Sequence, residues 1–104
     1  PLWFKDKDGF MMSLNDAYEK AFLLPIGMTR ADYIGFKDVK IWGPEVADIF
    51  EHNDNEAKDL GAASALIFER VEKNILNNYT FYKYPKYVDG ILVGVGGIAT
   101  PIRP

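Results

Sequence analysis

His52 is the only histidine in this 104-residue chain, and there is no cysteine. The missing thiol excludes disulfide staples, thiolate nucleophiles and cysteine-ligated zinc or iron–sulfur clusters. At about 100° per residue, His52 projects from the polar side of a helix predicted over Pro44–Leu60, where acidic neighbours favour its charged form. That polar face carries most of an acidic cluster, Glu45, Asp48, Glu51, Asp54, Glu56 and Asp59, against one base, Lys58. Carboxylates at such helical spacing form a solvated face. No paired carboxylates within a cleft, no Ser-His-Asp set and no metal-ligand spacing can be named, so no catalytic or metal site is expected. An enzyme would need at least one buried Asp or Glu with a raised pKa, and the acids here fall mostly on turns and on the polar helix face. Gly94-Val95-Gly96-Gly97 has a phosphate-loop look, but no helix N-terminus follows to aim N–H groups at an anion. Those glycines are expected to permit close packing or a bulge in a strand.

Two features could hold a ligand. Asn53 falls within the predicted apolar stripe Val46, Ile49, Phe50, Ala57 and Leu60. A buried amide there must be hydrogen-bonded or carry a desolvation cost of about 1–3 kcal/mol, so it either orients a ligand or ties down neighbouring structure. The second feature is the ring set Phe22, Phe36, Trp42, Phe50, Phe68, Tyr79, Phe81, Tyr82 and Tyr84. Most of these rings are expected in the core. The candidate lining of a small-molecule cavity is Phe22, Phe36, Trp42, Phe50, Asn53, Phe68, Phe81 and Tyr82, and it would suit an apolar or aromatic ligand.

The elements that must carry these residues follow from local signals. Leu2–Lys5 and Phe10–Leu14 read as a hairpin around Asp6-Lys7-Asp8-Gly9. Asn15 is a helix N-cap, followed by Ala17, Tyr18, Ala21 and Phe22 on one face; Pro25 and Gly27 end that helix. Thr29 and Asp32 form a capping box for a short turn that stops near Gly35. Gly43-Pro44-Glu45 opens the longest helix, and Gly61 closes it. Ala62–Lys73 leans to helix by propensity, although Leu66-Ile67-Phe68 suits a strand. Asn77-Asn78 marks a turn, Tyr79–Tyr84 a strand, and Asp89-Gly90 a hairpin turn into Ile91–Val95. Alternation places Tyr79, Phe81 and Lys83 on one face of their strand and Thr80, Tyr82 and Tyr84 on the other, without saying which is inward.

The order of two strands, then helices, then two or three strands predicts an α+β domain with one antiparallel sheet and helices on one face. Length allows a single core, of radius of gyration about 13 Å. With 48% hydrophobic residues the chain is no linker, and the longest apolar run, Ile91–Ala99, is too short to span a membrane. A net charge of −3 argues against a nucleic-acid partner. The chain begins at Pro1 without methionine, and the expectation is a piece of a longer protein.

Taken in order, Pro1–Gly9, Leu14-Asn15-Asp16-Ala17, Tyr33-Ile34-Gly35, Trp42–Asp54, Lys83-Tyr84-Pro85 with Asp89-Gly90, and Val93–Thr100 together resemble a PAS domain of bacterial signalling proteins. The resemblance spans nearly the whole chain, 1–104, as a single domain. It implies five strands, with Ser64–Lys73 assigned to the sheet against propensity. It implies a non-catalytic sensory or regulatory module, cytoplasmic though with a parent that could be membrane-anchored. Such a module binds a small ligand or dimerises through the sheet or termini, and relays the change to a fused output domain: a histidine kinase, a diguanylate cyclase or a transcription regulator. The cofactor is left open. A flavin–cysteine adduct is excluded by the missing cysteine, and haem would fall to His52, whose predicted orientation opposes it. The family's usual closing Asp-Ile-Thr is here Pro101-Ile102-Arg103, which removes the aspartate that couples the last strand to an effector helix. The alternatives are a purely structural interaction or dimerisation domain and a small α+β enzyme.

Overall fold

The structure is a computed structural model that describes residues 1–60, 67–71 and 74–102. Five strands, β1 (Leu2–Asp6), β2 (Met11–Leu14), β3 (Ile67–Glu69), β4 (Tyr79–Val88) and β5 (Ile91–Pro101), form one sheet in the order β2-β1-β5-β4-β3. Every neighbouring pair is antiparallel. The chain therefore joins its first and last strands at the middle of the sheet and places the helices on one face, as the strand order predicts. Its radius of gyration is 13.0 Å.

Local chemistry sets the turns. The Asp6 carboxylate accepts from the backbone N–H groups of Asp8 and Phe10, closing the β1–β2 turn, with Gly9 at φ +91°. Asp89 and Gly90 both take positive φ, +51° and +78°, the conformation whose twist matches an antiparallel hairpin. β4 continues through Pro85 to Val88, and β5 runs past Val95 to Pro101, so both strands are longer than their strongest sequence signals.

The Asn15 side-chain oxygen accepts from Tyr18 N–H and from Leu2 N–H, so it caps the first helix and ties it to β1. Replacing Asn15 by Ala strands both donors; chemical denaturation is expected to show a loss of about 1–2 kcal/mol. The helix α1 (Asp16–Tyr18) passes into a π-turn over Glu19–Leu23 and a 3-10 turn over Leu24–Ile26, ended by Gly27 in the left-handed region. The wider π-turn shifts the inward face: Tyr18, Phe22 and Leu23 are buried, whereas Ala17, expected on that face, is exposed. The capping box of Thr29 and Asp32 opens α2 (Arg30–Tyr33) as expected.

α3 (Asp38–Asp59) is two helical limbs, residues 38–42 and 44–59, joined at Gly43, whose φ of +80° and ψ of +170° break the helix. The second limb is the predicted long helix, with Pro44 at its start. Its buried residues are Val46, Phe50, Asp54 and Ala57. Leu60 is exposed and Asp54, expected on the solvated face, is inside. At about 100° per residue this turns the buried stripe roughly 40° from the predicted one.

β3 carries the middle of the segment assigned to the sheet, and no helical extension of α3 occupies residues 67–69. Residues 70 and 71 follow the strand, while residues 64–66 and 72–73 of that assignment lie outside the described residues. A 3-10 turn over Asn74–Asn78 precedes β4.

The core between helices and sheet is largely aromatic. Trp3, Tyr18, Phe22, Phe50 and Phe81 are all at most 6% exposed, and the rings meet edge to face, as in Tyr18–Phe22 at 4.9 Å and Trp3–Tyr18 at 5.3 Å between centroids.

Candidate functional site

The inner face of the sheet also carries two lysines. Lys5 on β1 shares its face with Trp3, and Lys83 on β4 shares its face with Phe81; they are 2% and 0% exposed. A buried ammonium group without a partner would carry several kcal/mol of desolvation penalty, so each demands a carboxylate. Three buried acids answer. Lys5 Nζ lies 2.6 Å from Asp38 Oδ2 and 2.8 Å from Asp54 Oδ2. Lys83 Nζ lies 2.8 Å from Asp54 Oδ1, as an ion pair not aligned as a hydrogen bond, and 3.2 Å from Glu69 Oε2. The result is an alternating chain, Asp38–Lys5–Asp54–Lys83–Glu69, that ties both limbs of α3 to β1, β4 and β3.

Neutral groups complete the chain. Tyr33 donates its hydroxyl to Asp38 Oδ1 at 2.5 Å, Asn53 donates its amide to Glu69 Oε2 at 2.5 Å, and Lys83 also donates to the Phe50 carbonyl at 3.4 Å. The Phe50 ring sits against both ammonium groups, with Lys83 Nζ at 4.4 Å and Lys5 Nζ at 5.1 Å from its centroid. Glu69 Oε1 and Trp42 Nε1 are buried without a hydrogen-bond partner among the described residues.

The environment moves each group differently. Burial alone would lower Lys5, but the Asp54 and Asp38 carboxylates outweigh it and hold the ammonium above its ordinary 10.5. Burial likewise opposes ionisation of Asp54, yet Lys5 and Lys83 hold it below 3.8. For Glu69 burial prevails over Lys83 and Asn53, and its pKa rises above 4.5. Burial also raises the phenols of Tyr18 and Tyr33. Stability from Asp54 is thus present above pH 3.8 and lost as pH falls through its lowered folded value. Stability from Lys5 is present below pH 10.5 and lost above its raised folded value. Thermal unfolding across pH should show both losses, and replacing Asp54 by Asn should remove its part of the acid limb.

A cavity of about 190 Å³ opens beside this chain, between the Asp6–Gly9 turn and α3. Lys5, Asp38 and Asp54 stand in its wall, and Lys7, Lys37, Asp48, Glu51 and Lys58 line the rest with Val39, Pro44 and Ala47. Lys58 bridges the opening by donating to the Lys7 carbonyl at 3.0 Å.

The residues expected to line a ligand cavity are scattered. Phe50 and Asn53 belong to the charged chain. Phe22 and Phe81 pack within the core, and the half-buried Trp42 meets Phe22 at 6.4 Å between centroids. Phe36 is 45% exposed with the Lys40 ammonium over its ring. Phe68 is exposed and pairs with Tyr82 on the outer face of the sheet, so these two lie away from the helices. His52 is exposed and 3.4 Å from Glu56, as its predicted orientation requires. Among the described residues no group of three His, Asp or Glu side chains gathers as a metal site.

Sequence reasoning missed Lys5, Asp38, Asp54, Glu69 and Lys83. Asp38, Asp54 and Glu69 are buried, and Glu69, whose pKa burial raises, has the feature whose expected absence argued against an enzyme; here it is engaged by Lys83 in the chain. The available signal was parity: Lys5 shares its strand face with Trp3, and Lys83 shares its face with Phe81.

No family model and no curated protein matches this sequence. Two solved structures share its fold. One is a sensory box sensor histidine kinase from Vibrio cholerae, with TM-score 0.74 and 18% identity, covering 97% of this chain and 79% of that one. The other is the PAS domain of BvgS from Bordetella pertussis, with TM-score 0.74 and 22% identity, covering 100% of this chain and 77% of that one. The chain has the PAS fold, a five-stranded antiparallel sheet with helices on one face.

Proposed function

We propose that this domain is a sensory or regulatory module, without catalytic chemistry of its own, that binds a small polar ligand in the cavity beside the charged chain. The observation that carries the reading is shared residues: Lys5, Asp38 and Asp54 both wall the cavity and fasten α3 to the sheet. A ligand that touches these groups interacts differently with the docked and loosened arrangements of α3, and it shifts their populations by that difference in affinity. The charged wall favours a polar occupant over the apolar or aromatic ligand expected from the ring set. The likeness in fold to domains of sensor proteins supports relay to a fused output domain, such as a histidine kinase, diguanylate cyclase or transcription regulator.

The test is native mass spectrometry of the domain, followed by amide NMR during titration with small dicarboxylates and small amines. The expected result is saturable binding that moves the signals of Lys5, Asp38, Asp54 and residues 44–59 together. Signals that stay unmoved by every compound, with no co-purifying mass, would overturn the ligand reading.

A second reading is association through the outer face of the sheet. It is favoured by the exposed Leu2, Phe68 and Ile98, the Phe68–Tyr82 ring pair at 5.7 Å, and a hollow of about 370 Å³ edged by Leu2, Phe4 and Tyr84. Sedimentation equilibrium of the Phe68→Ser variant decides it: a homodimer in the unaltered protein should become monomeric. No helix among the described residues is long and apolar enough to cross a membrane.

A further inference from the structure

We propose that Glu69 is a proton-binding site that takes up a proton on mild acidification and so tightens the docking of α3 on β3. The chain holds three carboxylates, Asp38, Asp54 and Glu69, against two ammonium groups, Lys5 and Lys83, with every side chain at most 10% exposed. One buried negative charge is in excess, and a low-dielectric interior removes such an excess by neutralising a group.

Glu69 is the member least held in its charged form. Asp38 is fixed by Lys5 at 2.6 Å and by the Tyr33 hydroxyl at 2.5 Å, and Asp54 touches both lysines at 2.8 Å. Glu69 sits at the end of the chain, reached by Lys83 only at 3.2 Å, with a side chain 0% exposed and, among the described residues, no hydrogen-bond partner for Oε1. The charged and titratable groups around it come from three elements among the described residues: Lys83 from β4, Asp54 from α3, and Lys5 from β1 behind Asp54. Arg70, next in sequence, is turned to the Tyr79 carbonyl and Asn77 and does not serve Glu69.

The Asn53 contact fits the same conclusion. At 2.5 Å it is shorter than the usual 2.7–3.2 Å of an N–H···O bond and falls in the range of an O–H···O bond. The two ends of an asparagine amide are alike in shape, so turning it over sets Oδ1 where Nδ2 stands, ready to accept from a protonated Glu69. The proton converts the chain from net −1 to neutral, and the Asn53–Glu69 hydrogen bond, reversed in direction, still joins β3 to α3. Burial pushes the Glu69 carboxyl in the same direction.

The inference does not depend on a ligand in the cavity, so its failure leaves the sensory reading intact. It is tested on the ¹³C-labelled domain by following the Glu69 carboxyl carbon through a pH titration, assigned by through-bond correlation so that no variant is needed. The midpoint is expected above the ~4.3 of free glutamate. Chemical denaturation provides the second arm. For a group whose folded pKa is raised, the folded state binds more protons, so the folding constant falls as pH rises through the interval. Between pH 5 and pH 7.5 the fall should be about threefold or more in the unaltered protein and absent in Glu69→Gln. A carboxyl that titrates at or below the free value, or a Glu69→Gln variant with the same pH dependence as the unaltered protein, would overturn the proposal.

Discussion

Replacing Lys5 by methionine is expected to destabilise the domain by about 3–5 kcal/mol, the usual consequence of removing one partner from a buried ion pair. Against the total of about 5–15 kcal/mol that holds a domain folded, this is a large share. Two contacts vanish together, because Lys5 Nζ serves both Asp38 and Asp54. Among the described residues Asp38 keeps the Tyr33 hydroxyl and Asp54 keeps Lys83. Methionine fills the volume between Trp3 and Phe50 tolerably well, so the loss reports charge and not a cavity. The two carboxylates are left with less positive charge opposite them, and the penalty therefore shrinks as pH falls and they protonate. Urea denaturation should show the gap between the two proteins widest at neutral pH and narrower near pH 4. The double variant Lys5→Met with Asp38→Asn should recover part of the loss. A gap under about 1 kcal/mol that ignores pH would mean that the charges are solvated and that the chain does not fasten α3.

Why this chain was hidden in the sequence, while the sheet was not, has a physical answer. Asp89-Gly90, Asn15, the Thr29–Asp32 pair and Gly43-Pro44 act on backbone within a few residues of themselves, so their chemistry is legible locally. The five charges come from positions 5, 38, 54, 69 and 83 and meet only after the sheet and α3 have packed. Asp54 was misplaced because the apolar residues Ile49 and Leu60 drew the predicted stripe to one side. In the structure Leu60 is exposed and the helix presents Asp54 to the lysines instead. A stripe defined by hydrophobicity alone has no means to include a carboxylate. Glu69 lay in the segment where helix and strand propensities disagreed, so its face could not be assigned. The two lysines were the usable clue: by strand parity each shares a face with a large apolar ring, and an inward ammonium requires an acid across from it.

The rings illustrate the converse. Phe22, Phe50 and Phe81 were legible as buried and are buried, but composition does not say whether buried rings enclose a space or fill one. Here Phe81 meets Phe50 edge to face and Phe22 at a tilt of 34°, and the cavity lies beside them among charges. The outward positions of Phe68 and Tyr82 follow from register, since Phe68 pairs with Tyr82 across β3 and β4 and one inward partner, Lys83, fixes the parity of both strands.

Gly94→Ala is expected to be among the most destabilising single substitutions, although it adds one methyl group. Gly94 lies on the central strand β5, paired with Asp6 on one side and Lys86 on the other. A Cβ there would fall inside the van der Waals envelope of the Lys5 carbonyl oxygen and 2.8 Å from Phe4 Cζ. The first obstacle is backbone, which no rotamer change can move aside, so β1 must shift away from β5 at the residue that anchors the charged chain. Overpacking in a core costs about 1–3 kcal/mol, and more where backbone must move; a loss above 3 kcal/mol is expected here. Two nearby glycines calibrate the effect. At Gly97 the obstacle is the Trp3 ring, itself 6% exposed and wedged against Tyr18 and Phe81, so the cost is intermediate. At Gly96 it is the Tyr84 ring on the half-buried outer face, which can swing toward solvent. Denaturation midpoints of the three alanine variants should therefore rank Gly94 lowest, Gly97 next and Gly96 nearest the unaltered protein. Gly94→Ala alone should also displace the amide NMR signals of Asp38 and Asp54, because it reaches them through Lys5. Equal midpoints for all three variants, or undisturbed Asp38 and Asp54 signals, would show that β1 and β5 do not approach as closely as the charged chain requires.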